Sequence, residues 1–310
     1  MAITVVGNVF VDIKGFPDDN YIPGGRNAGH VEHVHGGVGR NVAEDIANVE
    51  LRPRFVSMVD DTAEGAEVLK KLNNHKVNTE YVLSVPDGMG LWLAVFDETG
   101  DIVGSISKRP DMTALAKLVE EKGDEIFADC DSIVLEIDLD KEIIKSVFKY
   151  AEKYNKRVYA VVANMSIATQ RRDFLQSIDC FVCNAEEAGI LFVCDMSGLS
   201  PEALCEELSK RVMSARIPSM VVTLGSRGAV YADMHGDKGV YPAQRVNVRD
   251  TTGAGDAFCA GVAMGLTYGK TMREAVEIGT RLAASVITVS ENVCPRFLPR
   301  ELGLDIDVTD

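Results

Sequence analysis

Apolar and polar positions follow two regimes along the chain. The opening run Ile3-Thr-Val-Val-Gly-Asn-Val-Phe-Val-Asp12 is apolar and breaks at Gly7, which predicts a short buried strand over Ile3–Val6 and then a turn that presents Asp12. Residues 15–35 lose periodicity and gather Gly, Pro, Asn, Asp and the histidines His30, His33 and His35. That composition predicts an exposed loop or flap. From Val42 onward Val, Ala, Ile and Ala fall at helical spacing, Phe55–Val59 is strand-like, and Thr62-Ala-Glu-Gly-Ala-Glu67 opens an amphipathic helix that closes near Asn74. Strand-like segments follow at Thr79–Val85 and Gly90–Phe96, the second turning through Asp97-Glu-Thr-Gly100 into Ile102–Ile106.

Beyond residue 113 short apolar runs alternate with amphipathic stretches. Strands are expected at Ser132–Leu135, Arg157–Val162, Cys180–Cys183, Met220–Thr223 and Ala229–Tyr231, and helices near 114–126, 140–153, 171–176, 185–192, 201–214, 254–268 and 272–289. Alternation of this kind predicts an α/β fold with a mostly parallel sheet covered on both faces. Ligands of such a sheet bind at the carboxyl ends of its strands. There is no internal repeat, and the β-rich excursions at 9–35 and 79–107 are expected to form a small lid on a single domain spanning 1–310.

Charge narrows the partners. With 32 basic and 47 acidic residues the chain carries a formal charge of −15, yet 46% of it is hydrophobic, so it has the means to fold and its field repels nucleic acid and anionic membranes. No nucleic-acid or membrane partner is expected. The longest stretches without a charged side chain, Val158–Gln170 and Ala257–Gly269, are 13 residues each, short of the roughly 18 that span a bilayer. Seven cysteines, an odd count without a disulfide spacing, and no basic segment ahead of Ile3 predict a reduced, cytoplasmic protein. The 27 glycines fall in clusters, and two of these clusters carry chemistry.

The first is Val248-Arg-Asp-Thr-Thr-Gly-Ala-Gly-Asp-Ala-Phe-Cys-Ala-Gly261. Small residues Gly253, Ala254 and Gly255 let the backbone approach a ligand, and the helix that starts there aims unsatisfied N–H groups and its positive dipole end at the loop. The result is an anion site. Asp256, in the first turn, is placed to accept a hydrogen bond from a substrate hydroxyl, as phosphoryl transfer to an alcohol requires. The helix dipole is expected to hold its pKa down.

Residues 250–258, Asp-Thr-Thr-Gly-Ala-Gly-Asp-Ala-Phe, resemble the C-terminal signature of the ribokinase-like (PfkB) carbohydrate and nucleoside kinases. His35-Gly-Gly-Val-Gly-Arg-Asn-Val-Ala43 is similar to the family's N-terminal signature. Gly7-Asn-Val-Phe-Val-Asp12, Asn184-Ala-Glu-Glu187 and Thr223-Leu-Gly-Ser-Arg-Gly-Ala229 match further motifs in family order. The resemblance implies a ribokinase-like three-layer α/β sandwich with a β-rich lid, ATP as phosphoryl donor, Mg2+ and a small-molecule acceptor. It implies Asp256 as catalytic base and Gly253, Ala254 and Gly255 as anion hole. Asp12, Gly36, Gly37 and Asn41 would hold the acceptor's hydroxyls, with Glu136 a further candidate for that wall. Asn184 and Glu187 would organise the Mg-bound phosphates through water, Thr223, Gly225 and Gly228 would line the nucleotide, and Asp250 matches a place where some members bind K+. An exposed lid edge predicts a homodimer.

The resemblance implies phosphorylation of a hydroxymethyl group on a nucleoside or sugar, with pseudouridine first, because Arg before Asn in the acceptor motif is similar to the pseudouridine kinase form and Arg40 could then contact a base, and a plain sugar such as ribose or fructose as the alternative. A non-catalytic ligand-binding relative is disfavoured by the intact acid. Where many members carry an acid after the strand ending at Val162, this chain has Ala163-Asn-Met-Ser166. Other patterns carry less. Gly265-Leu-Thr-Tyr-Gly-Lys-Thr271 has three residues between its glycines where a Walker A loop has four, and Thr271–Glu274 reads as a capping box. Cys180 and Cys183 have metal-ligand spacing but no second pair, and the histidine cluster is expected beside the acceptor rather than on a metal.

Overall fold

The buried run Ile3–Val6 becomes β1, third from one edge of a nine-stranded sheet. The structure, a computed structural model, describes residues 1–304. To one side of β1 lie β4 (Arg54–Asp60) and β5 (Asn78–Val85); to the other lie β8 (Ser132–Glu136), β9 (Arg157–Val161), β10 (Cys180–Asn184) and β11 (Ser219–Thr223), all paired in parallel. Two antiparallel strands, β12 (Ala229–Asp233) and β13 (Lys238–Tyr241), finish that edge. β13 escapes the sequence reading because four residues, Lys-Gly-Val-Tyr, are too short to show a period.

Residue alternation along these strands divides the core in two. Ile133, Leu135, Phe181, Met220 and Val222 face one layer, built by α3 (Thr113–Phe127), α4 (Lys141–Tyr154), α6 (Ala185–Phe192) and α7 (Pro201–Ala215). Ile3, Val5, Val134, Val182 and Val221 face the other, built by α1 (Val38–Asn48), α2 (Ala63–Asn74), α8 (Ala254–Thr267) and α9 (Met272–Val286). The predicted helix at 171–176 is a 3-10 segment, Thr169–Ser177, following the single turn α5 (Met165–Ala168).

The lid is a separate sheet of four strands in the order β3 (Gly29–Gly36), β2 (Phe10–Pro17), β6 (Gly90–Phe96) and β7 (Ile102–Lys108). Two expectations are corrected here. The 15–35 stretch is an exposed loop only over residues 18–28: on either side of it β2 and β3 pair without interruption from Phe10↔Gly36 to Pro17↔Gly29, so Asp12 sits within a strand and not in a turn. Most of β3 is exposed, and a strand wetted on both faces has no reason to alternate apolar with polar. The segment 79–85, read as lid, is β5 at the edge of the main sheet.

Candidate active site

The acceptor turn closes the gap between β1, the lid and α1. Gly37 caps α1 with φ 100°, and a Cβ there would lie 2.5 Å from the Asn8 carbonyl oxygen, so only glycine fits. The first amides of α1 already have protein partners: Gly39 N–H donates to Glu136 Oε2 (3.1 Å) and Arg40 N–H to the Asn8 oxygen (3.2 Å). The Asn8 backbone N–H and its side-chain amide donate to the same Glu136 carboxylate, at 2.9 and 3.1 Å. Glu136 is 1% exposed, and it therefore holds the acceptor turn from behind. Burial, reinforced by nearby Asp138, pushes its pKa up. Asp12 and Gly36 are cross-strand neighbours in the lid hairpin, close enough that a Cβ on Gly36 would lie 2.6 Å from Asp12 Oδ2. Burial raises the Asp12 pKa, against the opposing pull of Lys14 and Arg40.

Arg40, expected to be open to an acceptor, is instead turned inward and engaged by the protein. It is 1% exposed, pairs with Glu44, and through one guanidinium nitrogen donates to Asn41 Oδ1 (2.8 Å), Asn292 Oδ1 (3.1 Å) and the His35 carbonyl (3.1 Å). No face of it is free to stack on a base. The reason is local: position 40 lies one turn from Glu44 on the inward side of α1, where an uncompensated charge is not tolerated. Asn41 in turn donates its Nδ2 to Asp256 Oδ2 at 2.7 Å, which joins the two glycine-rich motifs across 215 residues of sequence.

Asp256 occupies the first turn of α8, whose N-cap is Gly253 in the left-handed region (φ 80°) against the Asn292 carbonyl. Ala254 N–H already donates to the Thr251 oxygen (3.3 Å). The remaining donors of this turn, Gly255 and Asp256, have no intrahelical acceptor by construction, and the space where a Gly255 side chain would stand is open to 4 Å. The expected depression of the Asp256 pKa is corrected: it is raised to about 7, because burial, with Glu187 and Asp12 nearby, outweighs the Asn41 hydrogen bond and the Arg40 charge. Dipole arguments made from sequence have no view of burial, and here burial decides.

On the far side of α8 a cavity of about 470 Å³ runs between Gly255 and the sheet. Thr223 at the end of β11, Gly225 in the following 3-10 turn and Gly228 at the entry to β12 all line it, as do Ala254 and Gly255. Its other wall was not foreseen. Gln244, Arg245 and Val246, which form no regular element, and Ala283, Ala284 and Ile287 at the end of α9 carry no motif to mark them. Asp250 lies beside this loop, where Thr252 donates its N–H (2.9 Å) and hydroxyl (2.8 Å) to it. Burial raises the Asp250 pKa, but these bonds more than offset it and the net shift is downward.

Asn184 and Glu187 form a reciprocal cap at the start of α6, with Glu187 N–H donating to Asn184 Oδ1 (2.9 Å) and Asn184 N–H to Glu187 Oε2 (2.8 Å). Glu187 keeps one oxygen outside the cap, and burial raises its pKa. Asp138 was missed from sequence. It is 3% exposed at the carboxyl end of β8, and its Oδ1 accepts the Ala163 N–H at 2.9 Å, so an acid does stand against the position where residue 163 lacks one. An acid two residues past the end of a buried strand was the available signal.

The remaining candidates separate by geometry. Cys180 packs into one core layer and Cys183 into the other, both buried and free, so they cannot share a metal. Strand alternation turns His30 away from His33 and His35, and His30 stacks on Phe16 at 5.2 Å. Thr271 and Glu274 form the predicted capping box at the start of α9, and the Walker-like residues 265–271 link two helices. No helix among the described residues is long and apolar enough to cross a membrane.

A mostly parallel sheet with a detached β lid, and a half-buried carboxylate at a helix N-terminus between a lidded turn and a cavity, define a small-molecule phosphotransferase. The chain belongs to the pfkB family of carbohydrate kinases, whose profile matches residues 2–293. It is 35% identical to guanosine-inosine kinase of Exiguobacterium acetylicum over 94% of this chain and 95% of that protein. Pseudouridine kinase of Escherichia coli K12 is 24% identical over 88% and 86%. Arabidopsis thaliana ribokinase complexed with ribose and ATP shares the fold, with a TM-score of 0.85, 22% identity, and 99% and 100% coverage. The protein is a sugar or nucleoside kinase of this family, transferring a phosphoryl group to a hydroxyl of a small molecule.

Proposed function

We propose that the protein transfers the γ-phosphoryl group of ATP to the hydroxymethyl group of a nucleoside. The observation that carries this is Asp256: a carboxylate raised to about 7, held by Asn41 at 2.7 Å, between the lidded turn and the cavity at Gly255. The acceptor oxygen attacks the γ-phosphorus, the bond to the β,γ-bridging oxygen breaks, ADP leaves, and the proton passes to Asp256 late in the step. In the Gly253-Ala254-Gly255 turn the unanswered amides, those of Gly255 and Asp256, are placed to face the charge on the transferred group. Asp12, Gly36, Gly37 and Asn41 hold the acceptor; Thr223, Gly225 and Gly228 border the nucleotide. Glu187, with one oxygen outside its cap, and Asn184 would hold Mg2+ through water, an all-oxygen set suited to a hard cation. Mg2+ supplies charge neutralisation on the phosphates when bound. Asp250, a low-pKa carboxylate, fits K+ in the same sense.

Two observations bear on the acceptor. Arg40, the residue that favoured pseudouridine, is sealed away from it, and the 35% relative is a guanosine-inosine kinase against 24% for pseudouridine kinase. Guanosine and inosine therefore rank first, pseudouridine second and free ribose or fructose third. Lid strand β7 is exposed along its length, with Ile102 and Ile106 outward, which supports a homodimer through the lid. ADP release measured against guanosine, inosine, pseudouridine, adenosine, ribose and fructose tests the proposal. Turnover of a purine nucleoside is expected; turnover of a free sugar alone removes the nucleoside assignment.

A further inference from the structure

We propose that Arg40 is a positioning residue: clamped by Glu44, it fixes which end of the Asn41 amide faces Asp256. The proposal rests on Asp256 being the base. A guanidinium only donates, so it binds the oxygen of the Asn41 amide and never its NH2 group. Arg40 holds Asn41 Oδ1 at 2.8 Å, which leaves Nδ2 to meet Asp256 Oδ2 at 2.7 Å. A flipped amide would put two acceptors together, and only a protonated Asp256 could then make the bond. A protonated Asp256 cannot take a proton from the acceptor hydroxyl. In the observed orientation the amide binds one oxygen of the ionised carboxylate and leaves the other for the hydroxyl.

The surroundings make that orientation worth enforcing. Asp12 from β2 and Glu187 from α6 bring negative charge toward Asp256, Asp45 from α1 is itself held toward its neutral form by burial and by Asp256, and Arg40 brings the opposite sign. Its own position is fixed on every side. Glu44, fully buried, pairs with it and faces His75 Nδ1 at 3.2 Å and Lys71 Nζ at 3.7 Å. The Asn292 side chain accepts from Arg40 and donates to the His35 carbonyl at 3.0 Å, so the lid hairpin and the Gly253 loop share the clamp. A buried ion pair is a poor device for stability, because desolvation consumes most of its attraction; fixing an amide is a use that packing alone cannot supply.

The test is steady-state kinetics with ATP and the best acceptor of the panel. Arg40→Lys keeps a charge opposite Glu44 but lacks the fork. It is expected to lower kcat about 100-fold, the penalty of a misplaced reacting group, with the KM for ATP and the Tm near those of the parent. In an Asn41→Ala background, where no amide remains to orient, the same substitution should cost little more. Should Arg40→Lys fold poorly, the charge-free pair Arg40→Met with Glu44→Leu carries the same expectation. Parental kcat in a folded Arg40 variant, or losses that add in full to those of Asn41→Ala, would overturn the proposal. Asp256→Asn is run alongside: if it retains turnover the base assignment fails, whereas its loss beside a parental Arg40→Lys removes only the role given to Arg40.

Discussion

The two glycine-rich turns begin alike and end in opposite chemistry. Each places a positive-φ glycine at a helix N-cap with no side-chain cap, Gly37 before α1 and Gly253 before α8. At α1 the chain itself fills the first turn, since Glu136 and Asn8 take the amides of Gly39 and Arg40. At α8 the Gly255 position faces open space. A helix N-terminus is therefore an anion site only when the protein leaves it unanswered; answered from within, it becomes a rigid base from which side chains such as Asn41 project.

The largest effect that can break this comparison is Asp256→Asn, which should lower kcat about 10³-fold, in the range of a lost general base, while ATP binding measured by calorimetry persists. Next is pH. Asp256 takes a proton only when ionised, and with its pKa raised to about 7 the rate should be full above that value. It should fall about tenfold per pH unit below it; a kcat profile flat from pH 5 to 8 would remove the assignment. Third, Gly37→Ala and Gly255→Ala should part company. The first forces a Cβ to within 2.5 Å of the Asn8 oxygen at a strained φ and should destabilise by about 2 kcal/mol, read as a drop in Tm. The second meets nothing within 4 Å and should leave Tm in place while raising the KM for ATP. The smallest effect is a control at a conventionally capped helix. Thr271→Ala removes the hydroxyl that Glu274 N–H reaches at 3.3 Å and should cost about 1 kcal/mol without changing kcat.

Much of this was legible in the residues. Alternating runs such as Ser132–Leu135 and the helix from Ala254 made a mostly parallel sheet with helices on both faces legible, though not its strand order, because buried strands and amphipathic helices must carry their periods in sequence. The turn at Gly253, Gly255 and Asp256 was legible because a positive-φ helix start and a close backbone approach admit few residue types. What stayed hidden was relational. Whether Arg40 faces a ligand or Glu44 depends on which side of α1 is inward, and whether Asp256 titrates low or near neutrality depends on burial that no local motif encodes. The lid strand Gly29–Gly36 was hidden for a different reason: exposed on both faces, it had no apolar stripe to betray it. Asp138 and Asn292 were hidden by distance, each acting on a residue far away in the chain.

Asn292 also bears on how the enzyme comes into being. Its bond to Arg40 spans 252 residues, so during synthesis the acceptor turn is translated long before the side chain that completes its clamp. Until residue 292 emerges, the Arg40–Glu44 pair lacks one wall and the Gly253 loop lacks the carbonyl it rests on. Such a long-range closure is a late event in folding, and a nascent chain carrying both signature motifs would still lack the arrangement that transfers phosphate.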